Sequence, residues 1–74
     1  MAIQRGIDNY TNSQMTTLID EYIHSERDRA ILKRRLIDGL TFDELADEFN
    51  LSQRRIKDIV YRQQEWLFEA LAHI

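Results

Sequence analysis

The run from Leu40 to Leu67 constrains the fold of this chain more than any other part of its sequence. It reads LTFDELADEFNLSQRRIKDIVYRQQEWL, two amphipathic segments with a short polar interruption. Thr41 followed by Glu44 has the pattern of a capping box, and Ser52 is a good N-cap for a second helix. Asn50 lies between the segments, where a residue that tolerates positive φ can end a helix. The run therefore predicts two helices joined by a tight turn.

Three positions at set spacing favour a helix-turn-helix shape for this run. Ala46 is small and lies where the two helices would cross, so their backbones can approach closely. Asn50 reverses the chain four residues later, and Ile56 anchors the second helix in the core six residues after that. Caps, turn and core spacing agree, and such agreement across levels strengthens a fold prediction.

Two more helices are expected upstream. Residues 13–24 carry an apolar stripe at helical spacing, made by Met15, Leu18, Ile19, Tyr22 and Ile23. Ser25 caps the next helix, expected over residues 26–38 with Gly39 as its C′ residue, and apolar residues on several faces make it the central helix. We predict an all-α, four-helix domain over residues 13–74 with a C-terminal helix-turn-helix and a long last helix, preceded by an N-terminal arm over residues 1–12.

Composition limits the classes of function. The chain has 74 residues and no Cys, so it is one small domain without disulfides or thiolate metal sites. No apolar run approaches the roughly 18–20 residues that span a membrane. His24 and His73 are isolated, and there is no Gly-rich phosphate loop or nucleophile with a base. We therefore expect a cytoplasmic protein that is not an enzyme, with no catalytic residue, cofactor or metal and no membrane partner.

Positive charge is concentrated at the start of the last helix, although the net charge of the chain is −3. At about 100° per residue, the outward side of that helix lies opposite its apolar stripe. Such a helix can enter the major groove of DNA with its N-terminus first. The predicted DNA-binding residues are Gln53, Arg54, Arg55, Lys57, Asp58, Tyr61 and Arg62.

The side chains of this face have chemistry that suits DNA. Arg54 can bond guanine O6 and N7, Gln53 can pair with adenine, and Asp58 can accept a hydrogen bond from cytosine N4. Lys57 and Arg62 suit phosphate contacts, which set the register of the protein rather than read sequence.

A solvated helix face is the competing interpretation. In that case i,i+4 pairs such as Arg54–Asp58 neutralise the face, and Arg55 turns back to Glu44 or Glu48 of the preceding helix. The basic residues of the second helix raise the same choice, and there we favour a solvated face over phosphate contacts: Arg27, Arg29, Lys33, Arg34 and Arg35.

Aromatic residues lie toward the far end of the last helix. Tyr61 and Phe68 fall on its outward side with Ala72, and Trp66 is at the edge. A small monomer rarely leaves such groups in water, so they either pack under the N-terminal arm or associate with a second copy. We favour a homodimer through Tyr61, Trp66 and Phe68, whose reader helices would lie about 34 Å apart on a palindromic site.

From about Ser25 to Leu71 the chain resembles region four of bacterial sigma factors, which reads the −35 promoter element. The matching stretches are ILKRRLIDGLTFDELADEFNLS and SQRRIKDIVYRQQEWL. They share the family's aliphatic pair, Arg, Gly before a Thr or Ser cap, DELA-type helix and Ser-capped reader helix. The response-regulator type of four-helix domain shares much of this pattern.

The resemblance implies sequence-specific binding of double-stranded DNA in transcription regulation. The family's promoter-contacting positions correspond to Gln53, Arg54, Lys57 and Asp58, where Arg, Glu, Arg and Gln are common. Only Lys57 keeps a similar charge, so the resemblance does not predict the same DNA target.

The resemblance also implies RNA polymerase as a partner, because region four docks on the polymerase flap. The chain lacks the other sigma regions, so we expect a stand-alone region-four-like protein of the kind that a phage or mobile element encodes. The alternative is a protein-interaction module that binds RNA polymerase or itself without direct DNA readout.

Overall fold

The structure, a computed structural model, describes residues 10–72. These residues form four α-helices, with no strand in this range. Their bounds are α1 Asn12–Tyr22, α2 Glu26–Leu36, α3 Phe42–Phe49 and α4 Gln53–Ala72. The predicted all-α fold with a long last helix is confirmed, since α4 has 20 residues. Most of the predicted N-terminal arm, and His73, lie outside the described residues, so the arm boundary stays a prediction.

The ends of α1 and α2 differ from the predicted ones. Thr11 caps α1 through a reciprocal capping box with Gln14, which sequence analysis missed. Both helices end two residues early. After α1, Ile23 is buried with extended backbone, which leads the chain into the Ser25 cap. After α2, the chain turns before it reaches Gly39, whose φ of +75° lies in the left-handed region as predicted.

The core consists of two clusters of buried side chains, and α2 contributes to both. Ile31 packs in one cluster and Leu32 in the other, and both are fully buried. α2 contacts α1, α3 and α4, so the predicted central position of this helix is confirmed. The cluster around Leu32 contains Met15, Ile19, Ile23 and Leu67, and the cluster around Ile31 contains Leu45, Ile56, Ile59 and Val60.

The helix-turn-helix scaffold forms as the sequence predicts. Thr41 Oγ1 accepts from Glu44 N at 3.1 Å, and Thr41 N donates to the Glu44 carboxylate at 2.8 Å. Asn50 takes the left-handed conformation with φ 56° and ψ 46°, while Leu51 N donates to Ala46 O at 3.0 Å. These bonds satisfy groups that a helix end leaves without partners. Ser52 Oγ then accepts from Arg55 N at 3.1 Å and starts α4.

A buried polar contact joins the start of α2 to the middle of α4. Asp28 is only 4% exposed, and its carboxylate accepts from Gln63 Nε2 at 2.8 Å and from Arg27 Nε at 3.2 Å. From the sequence alone, Asp28 is only an acid in the first turn of a helix. A buried carboxylate needs such donors because leaving it without them is costly. The contact therefore helps to set how α4 lies on α2.

Candidate DNA-binding surface

All the predicted DNA-binding side chains are exposed on the first three turns of α4. Ile56 and Ile59 are 0% exposed and Val60 is 1% exposed, so the core determines how the helix is rotated about its axis. The opposite side, centred on Arg54 and Tyr61, is exposed, and Phe42 of α3 borders it at one edge. The structure thus brings these predicted residues together on one surface.

The charge pattern of α4 opposes its own helix dipole. Its first turn has no acidic residue and its last turn has no basic residue. Basic groups near a helix N-terminus are unfavourable because the dipole already makes that end positive. Arg54, Arg55 and Lys57 therefore make the start of α4 strongly electropositive. A helix end of this kind favours an anionic partner such as phosphate.

Asp58 forms ion pairs that differ from the predicted ones. Its carboxylate lies 3.7 Å from Arg55 Nη1 and 3.7 Å from Arg62 Nη1. Of the pairs named for the solvated-face interpretation, Arg54–Asp58 and Arg55 with Glu44 or Glu48 do not form, whereas Asp58–Arg62 is an i,i+4 pair of the kind that it expects. Both glutamates are already engaged, because the capping box holds Glu44 and the guanidinium of Arg34 holds Glu48.

Arg54 and Lys57 lack ion-pair partners among residues 10–72. Lys57 Nζ instead lies 5.7 Å from the centre of the Phe42 ring, and the Tyr61 ring meets the same ring edge-on at 5.7 Å. The Arg35 guanidinium lies 4.2 Å from that ring centre. Phe42 therefore supports two reader side chains, although sequence analysis saw it only as part of the apolar stripe of α3.

Gln53 is tied to the preceding helix. Its Nε2 donates to Asp43 Oδ1 at 3.0 Å, across the turn between α3 and α4. The hydrogen bond is exposed, so the amide can exchange it for another partner at little cost. This pair could not be predicted from local sequence patterns, because its two residues lie ten positions apart on either side of a turn.

The basic residues of α2 are engaged within the protein. Arg34 reaches Glu48 at 2.7 Å and Asp38 at 2.9 Å, and these hydrogen bonds raise the pKa of Arg34 above its ordinary value. Lys33 lies 2.7 Å from Asp20. Arg27 pairs with Asp28, while Arg29 and Arg35 donate to the carbonyl oxygens of His24 and Leu40. The basic face of α2, which was expected to be solvated, is thus neutralised by contacts within the protein.

A shallow groove of about 590 Å³ runs along the outward side of α4 beyond the reader turns. It is lined by Tyr61, Gln64, Glu65, Phe68 and Glu69, and we call it the outer groove. Tyr61 is 58% exposed and Phe68 is half-buried. Trp66 lies about 140° around the helix from Tyr61 and donates its indole N–H to Tyr22 O at 2.7 Å. The predicted grouping of Trp66 with Tyr61 and Phe68 on one surface is therefore wrong.

Residues 10–72 contain no group of three or more His, Cys, Asp or Glu side chains placed to hold a metal ion. None of the helices in this range is both long enough and apolar enough to cross a membrane.

The comparison with protein families agrees with this geometry. The sequence model of the family described as Sigma-70, region 4 matches residues 25–62, just over half of the chain. No curated protein and no solved structure matches the chain. The matched range runs from the Ser25 cap through α2 and α3 to the first three turns of α4, which includes the whole helix-turn-helix. Region 4 domains are non-catalytic DNA-binding domains that typically bind promoter DNA. The chain therefore belongs to the sigma-70 region 4 family, with α3 and α4 as its helix-turn-helix.

Proposed function

We propose that this protein binds double-stranded DNA sequence-specifically in transcription regulation, by inserting the first turns of α4 into the major groove. The observation that carries the proposal is the exposed, electropositive start of α4. Its basic side chains oppose the helix dipole, and Arg54 and Lys57 have no ion-pair partner among residues 10–72. Binding of an anionic partner relieves this unfavourable arrangement of charge.

The side chains of the reader face take different roles in this proposal. Arg54 has no ion-pair partner among residues 10–72 and lies at the centre of the face, so it suits a bidentate contact with guanine. Lys57 and Arg62 suit phosphate, and Arg55 adds a third phosphate contact from the edge of the face. Asp58 pairs with both Arg55 and Arg62, so it restrains these side chains and disfavours a pose that sets it against phosphate.

Two further residues act through contacts with α3. Gln53 can read adenine when its amide exchanges the hydrogen bond to Asp43 for one to the base. Tyr61 packs edge-on against Phe42 beside Lys57, which orients that part of the face.

The proposal implies a small phosphate footprint. Within residues 10–72 the basic groups of α2 are engaged, which leaves about three phosphate contacts from α4, namely Arg55, Lys57 and Arg62. The slope of log affinity against log salt should then be about −2.7, because each contact contributes about −0.9. Together with the net charge of −3, this predicts weak non-specific binding.

A selection on random duplex DNA tests the proposal directly. We expect enrichment of one short sequence, and binding to it at about 50 and 200 mM salt should give the slope above. The Arg54→Ala variant should relax the sequence preference at one base pair. The matched control, Lys33→Ala, removes one positive charge from α2 and should change neither the sequence preference nor the salt slope. No enrichment by the wild type, with affinity unaltered by Arg54→Ala plus Lys57→Ala, would refute DNA readout.

The net acidity of the chain favours a second function, binding RNA polymerase without direct DNA readout. A nuclease-treated pull-down with purified polymerase distinguishes the two. Retention of polymerase by both the wild type and Arg54→Ala plus Lys57→Ala, with no DNA sequence enriched, would support this alternative.

A further inference from the structure

We infer that two copies of this chain pair weakly through the outward side of α4, with the two helices antiparallel, and that the paired form cannot read DNA. Only the last clause rests on the proposed function. The partner surface consists of the outer groove together with Arg54 and Lys57, which continue it toward the start of the helix.

The net charge changes sign along α4: residues 53–62 carry four basic side chains and one acid, Asp58, whereas residues 63–72 carry only the acids Glu65 and Glu69. Arg54 and Lys57 lie at one end, Glu65 and Glu69 lie at the other, and Tyr61 lies between them. No ion pair within residues 10–72 engages any of these four charged side chains. A helix face with opposite charges at its two ends is complementary to a second copy only when that copy runs antiparallel. Parallel helices would set like charges against each other.

Each end of this surface also carries a repulsion within the helix. Arg54 and Lys57 are three residues apart, and Glu65 and Glu69 are four residues apart, so both pairs place like charges on neighbouring turns. Such pairs destabilise a helix that has no partner. Both repulsions are relieved when the acidic end of one copy meets the basic end of another.

Helix geometry gives the register of the pairing. When Tyr61 of one copy lies level with Gln64 of the second, Phe68 of the second copy lies level with Lys57 of the first. The Phe68 ring then packs on the aliphatic stem of Lys57. Glu69 of the second copy lies about 3 Å along the axis from the level of Arg54 of the first and on the edge of the surface nearer to Arg54, so these two charges can meet. Aromatic and charged contacts therefore form in the same register.

This pairing excludes DNA readout by the paired copies. Packed helices lie about 8–10 Å apart, whereas reader helices on two half-sites must lie about 34 Å apart. The second copy also covers Lys57 and Tyr61, which belong to the reader face. A dimer through the outer groove is thus incompatible with the palindromic site expected from the sequence. DNA and the second copy compete, and the monomer is the DNA-binding form.

Sedimentation equilibrium without DNA tests the pairing. Since a single helix face is a small interface, we expect a weak, reversible dimer of the wild type. Phe68→Glu should weaken self-association by about tenfold or more. Trp66→Glu is the matched control, because it places the same charge on the same helix but outside the outer groove, and it should leave the dimer unchanged. Circular dichroism verifies that both variants are folded.

A charge exchange tests the antiparallel register. Arg54→Glu and Glu69→Lys should each weaken self-association, because each places like charges opposite one another twice in the dimer. An equimolar mixture of the two variants should restore it to near the wild-type level, since both contacts become attractive again. Monomeric behaviour of the wild type at millimolar concentration, as expected if residues 1–9 fill the groove, would overturn the pairing. Failure of the mixture to associate would overturn the register.

Light scattering of complexes with the selected duplex tests the competition. We expect one chain per duplex, and Phe68→Glu should bind DNA at least as tightly as the wild type at micromolar protein. Two chains on one duplex in the wild type, reduced to one by Phe68→Glu, would overturn the exclusion. Absence of DNA binding in both proteins would refute the proposed function and leave the self-association result intact.

Discussion

The basic residues of α2 and of α4 are similar in kind but differ in what surrounds them. In α2, Arg34 reaches two acids and Lys33 reaches one, because α1 and α3 present carboxylates to its sides. In α4, Arg54 and Lys57 are exposed and meet no acid within residues 10–72, and the one contact of Lys57 with another helix in that range is with the Phe42 ring of α3. The number of positive charges in the sequence therefore overstates how many are available to an anionic partner.

The difference follows from position in the fold. α2 is central and contacts the other three helices, so its charged side chains emerge between neighbours that can neutralise them. Within residues 10–72, the start of α4 packs against neighbours on its buried side. Its exposed side chains meet α3 through Asp43 and Phe42 but, in that range, pair with no acid of another helix except through the Gln53 amide. The basic residues of α2 thus stabilise the fold, whereas those of α4 are candidates for contact with DNA.

The largest expected effect is on DNA affinity, and it tests this comparison directly. Arg54→Ala plus Lys57→Ala should lower affinity for the selected duplex by about 100-fold, since a guanine contact and a phosphate contact are both lost. Lys33→Ala plus Arg34→Ala removes the same charge from α2 and should lower it by less than about threefold. Fluorescence anisotropy at fixed salt measures both. Equal losses in the two double variants would break the comparison.

The second prediction concerns the most deeply buried charge of α2. Asp28→Ala should lower the free energy of unfolding by about 1–3 kcal/mol, because Gln63 loses a buried partner. Urea unfolding measures the change. Asp20→Ala removes an exposed acid of α1 and should stay within about 0.5 kcal/mol of the wild type. A stability for Asp28→Ala equal to that of this control would contradict a structural role.

The third prediction concerns Phe42, which lies between a basic residue of each helix. Phe42→Leu keeps an apolar side chain but removes the ring that Arg35 and Lys57 contact. DNA affinity should fall by about two- to fivefold, because an exposed cation–π contact is worth about 0.5–1 kcal/mol. In a Lys57→Ala background the same substitution should lower affinity less, because, on the reader face, only the contact of Phe42 with Tyr61 remains to be lost. Equal losses in both backgrounds would show that Phe42 does not act through Lys57.

The smallest effect concerns Glu44, an acid that the capping box keeps away from the basic residues of α4. The backbone N–H of Thr41, and then its side chain, hold the pKa of Glu44 below its ordinary value of 4.5. Because the pKa is lower in the folded state, this stabilisation is present above the ordinary value and is lost as pH falls through the folded-state pKa. Glu44→Gln keeps the capping hydrogen bonds without a titratable group.

Urea unfolding at about pH 6 and pH 3 measures this effect. The wild type should lose more stability between the two pH values than Glu44→Gln does. An equal loss in both proteins would mean that the capping box does not depend on the charge of Glu44.

Much of the fold was predictable because it depends on neighbours in sequence. The Thr41–Glu44 box, the left-handed Asn50 and the Ser52 cap are each set within a few residues, and the structure confirms them. The bounds of α1 and α2 were less predictable. Their last turns depend on where Ile23 is buried and on how the chain turns before Gly39, and both depend on the packed core.

The candidate site divides in the same way. The sequence by itself determined which residues of α4 face outward, because 3.6-residue periodicity against a buried Ile56 and Ile59 leaves one rotation of the helix. It also determined the family, through short-range caps and spacing. Each of these features follows from residues close together along the chain.

Only the tertiary structure decided which charges remain free. Glu48 pairs with Arg34 and not with Arg55. Asp28 accepts a hydrogen bond from Gln63, 35 positions further along the chain. The indole N–H of Trp66 donates to Tyr22 O, so Trp66 does not lie beside Phe68. These pairings join side chains from different helices, and no local periodicity encodes them. They form because the packed core brings distant donors and acceptors within hydrogen-bonding distance.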